Sequence, residues 1–130
     1  MVEFPHGYTY SAHPVACAAG LAALKTLVDD SLIDNVKAMS PIFEEAVHSL
    51  QGSPFVTDIR NYGLAAGISL EHYPGEPLRR PFELGLKCLE KGFYVRWGGD
   101  TIQLAPPFIV NEKQIHDLVN AVGESLHEFK

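Results

Sequence analysis

Arg96 and the segment at residues 6–13 are the two places where side chains of this sequence suit ligand binding. Residues 6–13 form a polar, aromatic-rich stretch that leads into Pro14 and a helix of small residues, as expected of a loop that holds a ligand. In Phe-Tyr-Val-Arg at residues 93–96, strand alternation puts Tyr94 and Arg96 on one side. A guanidinium at a strand end, beside a glycine turn, suits two parallel hydrogen bonds to a carboxylate. The alternative is a surface arginine paired with Asp100.

Other catalytic patterns are missing from the sequence. No two of its six histidines stand four residues apart, and the two cysteines are distant in sequence, so we predict no metal site. Ser11 and His13 are too close in sequence to suggest a serine nucleophile with its base, and no Gly-x-Ser-x-Gly turn occurs. We therefore assign no catalytic residue.

Four helices are predicted around these segments. Pro14 is suited to the first position of an Ala-rich helix that runs to about Asp30 and is apolar on nearly every side, which predicts burial against other protein. A second helix begins near Ser31, whose side chain can cap it, and Pro41 predicts a kink or restart within it. Pro81 opens a third helix that Lys91 and Gly92 end. Asn111 and Gln114 form a capping box for the last helix.

Two pairs of strands complete the predicted elements. Residues 55–61 and 64–71 read as strands joined at Tyr62-Gly63 by a tight connection or a bulge. Residues 93–96 and 101–104 read as strands on either side of the turn at Gly98-Gly99-Asp100. With short links between paired strands, the order of elements predicts an α+β fold, in which helices cover one face of a small antiparallel sheet.

Composition and charge narrow the class of partner. The 130 residues are 46% hydrophobic with a formal net charge of −6, and the basic residues are scattered, so we expect no nucleic-acid surface. No apolar run approaches the roughly 18–20 residues that span a bilayer, and no basic stretch precedes an apolar one at the start. Cys17 and Cys88 lie in apolar helical stretches and are predicted to be small buried side chains. We expect a cytoplasmic protein with no membrane partner.

Three motifs resemble those of class III (omega) aminotransferases, which depend on pyridoxal phosphate. The first is His-Gly-Tyr-Thr-Tyr-Ser-Ala-His-Pro at residues 6–14, where Ala12 replaces the glycine usual in the family. The second is Ile-Arg-Asn-Tyr-Gly-Leu-Ala-Ala-Gly-Ile at residues 59–68, whose glycines are interpreted as close strand packing or a bulge. The third joins residues 92–96 to Gly-Asp-Thr-Ile-Gln-Leu-Ala-Pro-Pro-Phe-Ile-Val at residues 99–110.

The resemblance implies roles for three residues. Thr9 matches the position that binds the cofactor phosphate from the neighbouring subunit of a dimer, and Tyr8 beside it is a possible contact. The alternative for Thr9 is a turn that bonds only its own backbone. Tyr8 and Tyr10 are either interface anchors or core residues. Arg96 matches the arginine that binds the substrate carboxylate.

The resemblance also implies what the chain lacks. In the family, the lysine that bonds to pyridoxal phosphate and the acidic partner of the cofactor ring lie upstream of the first motif, so neither is expected here. We therefore expect the C-terminal part of an aminotransferase that transfers an amino group from an amine or omega-amino acid to a keto acid such as pyruvate, inactive by itself and forming a homo-oligomer. The predicted parts are a cofactor-site loop at residues 1–13 and the small C-terminal domain at residues 14–130. The alternative is a non-catalytic interaction or assembly module derived from that domain.

Overall fold

The computed structural model of the protein describes residues 6–129 and divides the chain into two units, Met1–Ile33 and Asp34–Lys130. The domain boundary expected between residues 13 and 14 stays a prediction. The helices and strands are α1 (Pro14–Asp29), α2 (Leu32–His48), β1 (Val56–Tyr62), β2 (Ala65–Leu70), α3 (Arg79–Glu90), β3 (Arg96–Gly98), β4 (Thr101–Leu104) and α4 (Glu112–His127).

The four strands form one antiparallel sheet in the order β1-β2-β4-β3. β1 and β2 are joined by a two-residue turn in which Gly63 has a φ of +55°, a conformation that glycine adopts without strain. The tight connection predicted there is confirmed, whereas the bulge lies at the other end of β1, between Val56 and Asp58. β3 and β4 are also joined by a two-residue turn, Gly99-Asp100.

One face of the sheet carries the hydrophobic core. Alternation along the strands turns Ile68 and Leu70 of β2 and Ile102 and Leu104 of β4 to the same side, where all four are buried. Helices α2, α3 and α4 supply most of the other buried side chains of this core, chiefly Phe43, Val47, Leu84, Cys88, Ile115, Val119, Val122 and Leu126. The predicted α+β fold, with helices on one face of a small antiparallel sheet, is confirmed. The opposite face of the sheet, here called the open face, carries Arg60, Gly67, Gln103 and Arg96.

α1 departs from its sequence-based prediction. It spans the expected residues, with Pro14 in its first turn, but none of its side chains is buried. Cys17 is exposed, so the prediction that it is a buried side chain is wrong, whereas Cys88 is buried as predicted. An Ala- and Leu-rich sequence favours the helix itself through low side-chain entropy. It does not specify what covers that helix.

Two helices differ in detail from those predicted, although the predicted start of α2 is confirmed. α2 begins at Leu32, directly after Ser31, whose φ is +52°. It runs through Pro41 without restarting, and the Ser40 hydroxyl donates to the Val36 carbonyl oxygen at 2.6 Å, one turn earlier. α3 begins two residues before Pro81, which therefore occupies its first turn, where its missing N–H leaves no helical bond unmade.

Arg80, in the first turn of α3, is a buried cation with no carboxylate partner among residues 6–129. Its side chain is only 5% exposed, and its guanidinium carbon lies 3.9 Å from the centre of the Phe55 ring and 4.3 Å from that of Tyr73. One terminal nitrogen donates to the Glu71 carbonyl oxygen, while Nε has no partner. The two rings and the carbonyl hold the connection between β2 and α3 against the core.

Candidate functional site

Arg96 is the first residue of β3, the edge strand of the sheet, and its side chain is exposed on the open face. The strand predicted at residues 93–96 is displaced: residues 93–95 are not in a strand, and pairing with β4 begins only at Arg96. The alternation in burial still holds, because Val95 is buried and Tyr94 is exposed. Arg96 therefore stands at the beginning of β3 rather than at the end of a strand.

The guanidinium of Arg96 forms no hydrogen bond or ion pair with any residue that the structure describes. The alternative predicted from sequence, a pair with Asp100, is wrong, because the structure of residues 6–129 contains no ion pair between them; the Asp100 carboxylate accepts a hydrogen bond from the Thr101 hydroxyl at 2.9 Å. An exposed cation without an internal partner keeps its five N–H donors for a ligand. This is the property that recognition of a carboxylate requires.

Trp97 fixes β3 on the helix side of the sheet. Its indole lies against Gly85 of α3, so closely that a Cβ at Gly85 would lie 2.5 Å from the ring. The Phe82 ring meets the indole edge to face, with ring centres 5.7 Å apart. Because successive residues of a strand point to opposite faces, anchoring Trp97 among the helices directs Arg96 to the open face.

Gln103 is a neighbour of Arg96 to which the sequence analysis gave no role. It pairs with Arg96 directly across β3 and β4, and it lines two cavities. One cavity, of about 470 Å³, is mainly apolar and also meets Tyr94, Pro106 and Ile109. The other, of about 480 Å³, lies on the open face over Gly67. The alternation of residues 101–104 was the signal that could have placed Gln103 on the open face.

The loop before α1 is closed by its own hydrogen bonds. The Tyr8 N–H donates to the Ser11 hydroxyl at 2.6 Å, and the Ser11 N–H donates to the Tyr8 carbonyl oxygen at 2.9 Å. The Thr9 hydroxyl forms no hydrogen bond with the described residues, so the turn that bonds only its own backbone is made by Ser11 and not by Thr9. Tyr8 and Tyr10 are exposed, which rules out their interpretation as core residues.

Ala12 keeps the backbone conformation for which glycine is better suited. Its φ is +59°, in the left-handed region, where a Cβ meets the following carbonyl oxygen at a cost of roughly 1–2 kcal/mol. The substitution therefore strains the turn without abolishing it. Thr9 and Tyr8 belong to the unit Met1–Ile33, and Arg96 belongs to the unit Asp34–Lys130.

Each of the five lysines in residues 6–129 is paired with a carboxylate. Lys25, Lys37 and Lys113 pair with aspartates on their own helices. Lys87 and Lys91 pair with Glu128, and the hydrogen bond that Lys91 donates to the Glu128 carboxylate raises the pKa of Lys91. A lysine that attacks a carbonyl must be neutral, which requires a lowered pKa. The surroundings of Lys91 act in the opposite direction.

Two further features of residues 6–129 concern metals and membranes. These residues contain no group of three or more histidine, cysteine, aspartate or glutamate side chains placed to hold a metal ion. Among the helices that the structure describes, none is both long enough and apolar enough to traverse a bilayer.

Comparison with known proteins gives one family. The family described as Aminotransferase class-III matches residues 1–126. The β-alanine–pyruvate aminotransferase of Pseudomonas aeruginosa is 53% identical over 126 residues, which cover 97% of this chain and 28% of that protein. The omega-amino acid–pyruvate aminotransferase of Pseudomonas putida is 51% identical over 127 residues, covering 98% of this chain and 28% of that protein. The chain thus spans about 28% of the length of these curated relatives.

Solved structures agree in fold. A thermostable omega transaminase mutant from Pseudomonas jessenii superposes with a TM-score of 0.86 at 28% identity, covering 96% of this chain and 29% of that one. A PMP-bound aminotransferase from Vibrio fluvialis superposes with a TM-score of 0.82 at 28% identity, covering 97% of this chain and 29% of that one.

Proposed function

Because the chain belongs to the class-III aminotransferase family, we propose that it is the C-terminal part of an enzyme that moves an amino group to a keto acid. The amino donor is an amine or omega-amino acid, and the acceptor is a keto acid such as pyruvate. Two relatives that are more than half identical to the chain are named for pyruvate as a substrate, and their names for the amino donor, β-alanine and omega-amino acid, describe carboxylates too. A carboxylate is thus common to both substrates.

The observation that carries this proposal is the unpaired guanidinium of Arg96. It stands on the open face, directly across the strand pair from Gln103, and Gln103 in turn lines a largely apolar cavity of about 470 Å³. A free guanidinium suits a carboxylate, and an apolar cavity suits a short carbon chain. In this proposal Arg96 binds the substrate carboxylate and orients the substrate, and it moves no proton.

The first motif fits the phosphate of pyridoxal phosphate. The Thr9 hydroxyl is exposed and has no hydrogen-bond partner among the described residues, and the loop leads into the 16-residue helix α1, whose first N–H groups favour an anion. We propose that Thr9 donates to the phosphate and that Tyr8 contacts the cofactor beside it. When bound, pyridoxal phosphate supplies the electron sink for the transfer of the amino group.

The lysines support the proposal that this chain alone is not a transaminase. All five lysines of residues 6–129 are held in ion pairs on or beside helices. With pyridoxal phosphate and borohydride, the chain alone is expected to acquire no stoichiometric adduct at one lysine. Such an adduct, together with turnover, would contradict the proposal.

The substrate proposal is tested by replacing Arg96 with glutamine in the complete protein and measuring each half-reaction separately. Loss of a charged hydrogen bond costs about 1.5–3 kcal/mol, which lowers kcat/KM for pyruvate by roughly 10- to 100-fold or more. An amine without a carboxylate is expected to react almost as before in its own half-reaction. Equal losses in both half-reactions would show that Arg96 supports the fold or the cofactor instead.

A second candidate function, a non-catalytic assembly module, is favoured by one observation. The apolar side chains Val15, Leu21, Leu24 and Val28 of α1 are all more than half exposed, and exposed apolar patches promote association. Under either candidate we propose a homo-oligomer. Sedimentation of the chain at high concentration is expected to show a dimer or larger species, and a monomer throughout would contradict this. A location in the cytoplasm stays a prediction.

A further inference from the structure

We infer that Arg60, 36 positions before Arg96 in the sequence, is a positioning residue for the Arg96 guanidinium and acts through a chain of hydrogen bonds across the open face. This inference rests on the proposed function of Arg96. It concerns a residue that had no predicted role, although Arg60 lies within the second motif.

Arg60 stands in the same cross-strand row as Arg96. The register pairs Arg60 of β1 with Gly67 of β2, Gly67 with Gln103 of β4, and Gln103 with Arg96 of β3. Directly paired residues share a face of the sheet. The row therefore begins and ends in an arginine, and the two differ in one respect: Arg96 has no partner among residues 6–129, whereas Arg60 has three.

The three partners of Arg60 define the direction of the hydrogen bonds. Its Nη1 donates to the Asp58 carboxylate at 2.7 Å and to the Ser69 hydroxyl at 3.0 Å, and its Nη2 donates to the Thr101 hydroxyl at 3.4 Å. The single hydroxyl proton of Thr101 goes to the Asp100 carboxylate at 2.9 Å. Ser69 must therefore donate to Thr101 across the 3.0 Å that separates their oxygens. The chain runs from a guanidinium through two hydroxyls to a carboxylate.

This chain ends at the turn that carries β3. Asp100 belongs to the turn between β3 and β4, and its carbonyl oxygen also accepts from the Leu70 N–H at 2.9 Å. Thr101, only 7% exposed, pairs with Gly98, two residues beyond Arg96. β3 has only three residues and one neighbouring strand, so this turn contributes much of what fixes its position. Arg60 thereby ties the far edge of the sheet to the turn next to Arg96.

Gly67 makes the reach of Arg60 possible. A Cβ at Gly67 would lie 3.3 Å from the Arg60 guanidinium carbon and 3.3 Å from the Thr101 methyl group. These contacts are tighter than ordinary van der Waals distance, so a methyl group there must displace one of them. The absence of a side chain at position 67 lets the guanidinium cross β2 and meet Thr101 on β4.

The experiment uses the complete protein and isosteric changes at Thr101. Thr101→Val removes the hydroxyl but keeps the shape, and Thr101→Ser keeps the hydroxyl. We expect Thr101→Val to raise KM for pyruvate about 3- to 10-fold, with kcat for a carboxylate-free amine within about 2-fold of the wild type. Thr101→Ser is expected to keep KM for pyruvate near that of the wild type. Gly67→Ala, which displaces Arg60 without removing charge, is expected to resemble Thr101→Val.

Amide hydrogen exchange of residues 96–104 supplies a readout that does not depend on turnover. Thr101→Val is expected to speed exchange in the turn and β3 and to leave the amides of α4 unchanged. Arg79→Gln is the matched control. Arg79, in the first turn of α3, is another exposed arginine that pairs with two carboxylates, Glu76 and Glu83. It is expected to change neither KM nor exchange in residues 96–104.

Three results would overturn the inference, and they differ from one another. If Arg96→Gln impairs pyruvate alone but Thr101→Val leaves its KM unchanged, the role of Arg96 stands and the positioning role of Arg60 fails. If Thr101→Val weakens both half-reactions equally and speeds exchange in α4 too, the hydrogen-bond chain is merely structural. If Arg96→Gln impairs both half-reactions equally, the proposed function itself fails and the positioning role falls with it.

Discussion

Helices α1 and α4 are both 16 residues long, and the more apolar of the two is the one that buries nothing. α1 consists largely of alanine and leucine, and none of its side chains is buried. α4 is more polar, yet six of its residues are buried: Ile115, Val119, Ala121, Val122, Ser125 and Leu126. The difference lies in the arrangement of the apolar residues, since those of α4 form a stripe that fits one neighbouring surface.

Overall apolarity predicts that a helix is surrounded by protein, whereas an amphipathic stripe predicts which of its faces packs. An apolar stripe predicts which face of a helix packs. When the neighbouring elements belong to the same chain, that face packs against them. An apolar surface on every side predicts only that protein must surround the helix, without saying which protein. The two curated relatives are much longer than this chain, which spans about 28% of their length.

The largest expected contrast is in core truncation. Leu126→Ala removes a fully buried side chain from α4 and is expected to lower the free energy of unfolding by about 2–5 kcal/mol. The same truncation in α1, Leu24→Ala, is expected to stay within about 0.5 kcal/mol at protein concentrations low enough to keep the chain monomeric, because Leu24 is exposed. Urea unfolding of the two variants measures both values. A loss at Leu24 as large as that at Leu126 would show that α1 is packed in solution.

A smaller contrast is expected at the helix starts. The Asn111 side chain accepts from the Gln114 N–H at 2.9 Å, and the Gln114 side chain accepts from the Asn111 N–H at 3.0 Å. Asn111→Ala is therefore expected to cost about 0.5–2 kcal/mol. His13, at the start of α1, makes no capping bond, and His13→Ala should leave unfolding nearly unchanged. Thermal unfolding measures the Tm of both variants. An equal fall in Tm would contradict the expected difference between the two helix starts.

The smallest expected effect concerns the ion pairs at the end of α4. Hydrogen bonds from Lys91 and then Lys87 hold the pKa of Glu128 below its usual value. The stability that this gives is present above the usual glutamate pKa and is lost as pH falls through the lowered value. The raised pKa of Lys91 gives stability that is lost as pH rises through that raised value.

Glu128→Gln should therefore lower Tm slightly near neutral pH and match the wild type in strong acid, where residue 128 is uncharged in both proteins. Asp29→Asn, which removes the exposed pair with Lys25 in α1, is the control and is expected to leave Tm unchanged. A Tm difference between Glu128→Gln and the wild type that stays constant from acid to neutral pH would contradict the assignment.

Part of the fold around Arg96 could be predicted from the sequence, and the failures share a cause. The motif around Arg96 pointed to a carboxylate, and the family match agrees with the motif, but β3 begins where residues 93–96 were predicted to end. An edge strand of three residues has almost no local signal, because its bounds depend on where β4 allows pairing. Gln103 and Arg60 were missed since their roles come from partners on other strands.

Features with local causes could be predicted from the sequence. The capping box at Asn111, the turns at Gly63 and Gly99 and the apolar stripe of α4 each depend on residues close together in the chain, and the family was identified from three short motifs. The tertiary structure was needed for what depends on distant partners: that Arg96 has no partner among residues 6–129, that Gly67 admits the Arg60 side chain, and that no side chain of α1 is buried. Short-range preferences fix conformation within a few residues, whereas pairing across strands and burial are set by chain segments far away in sequence.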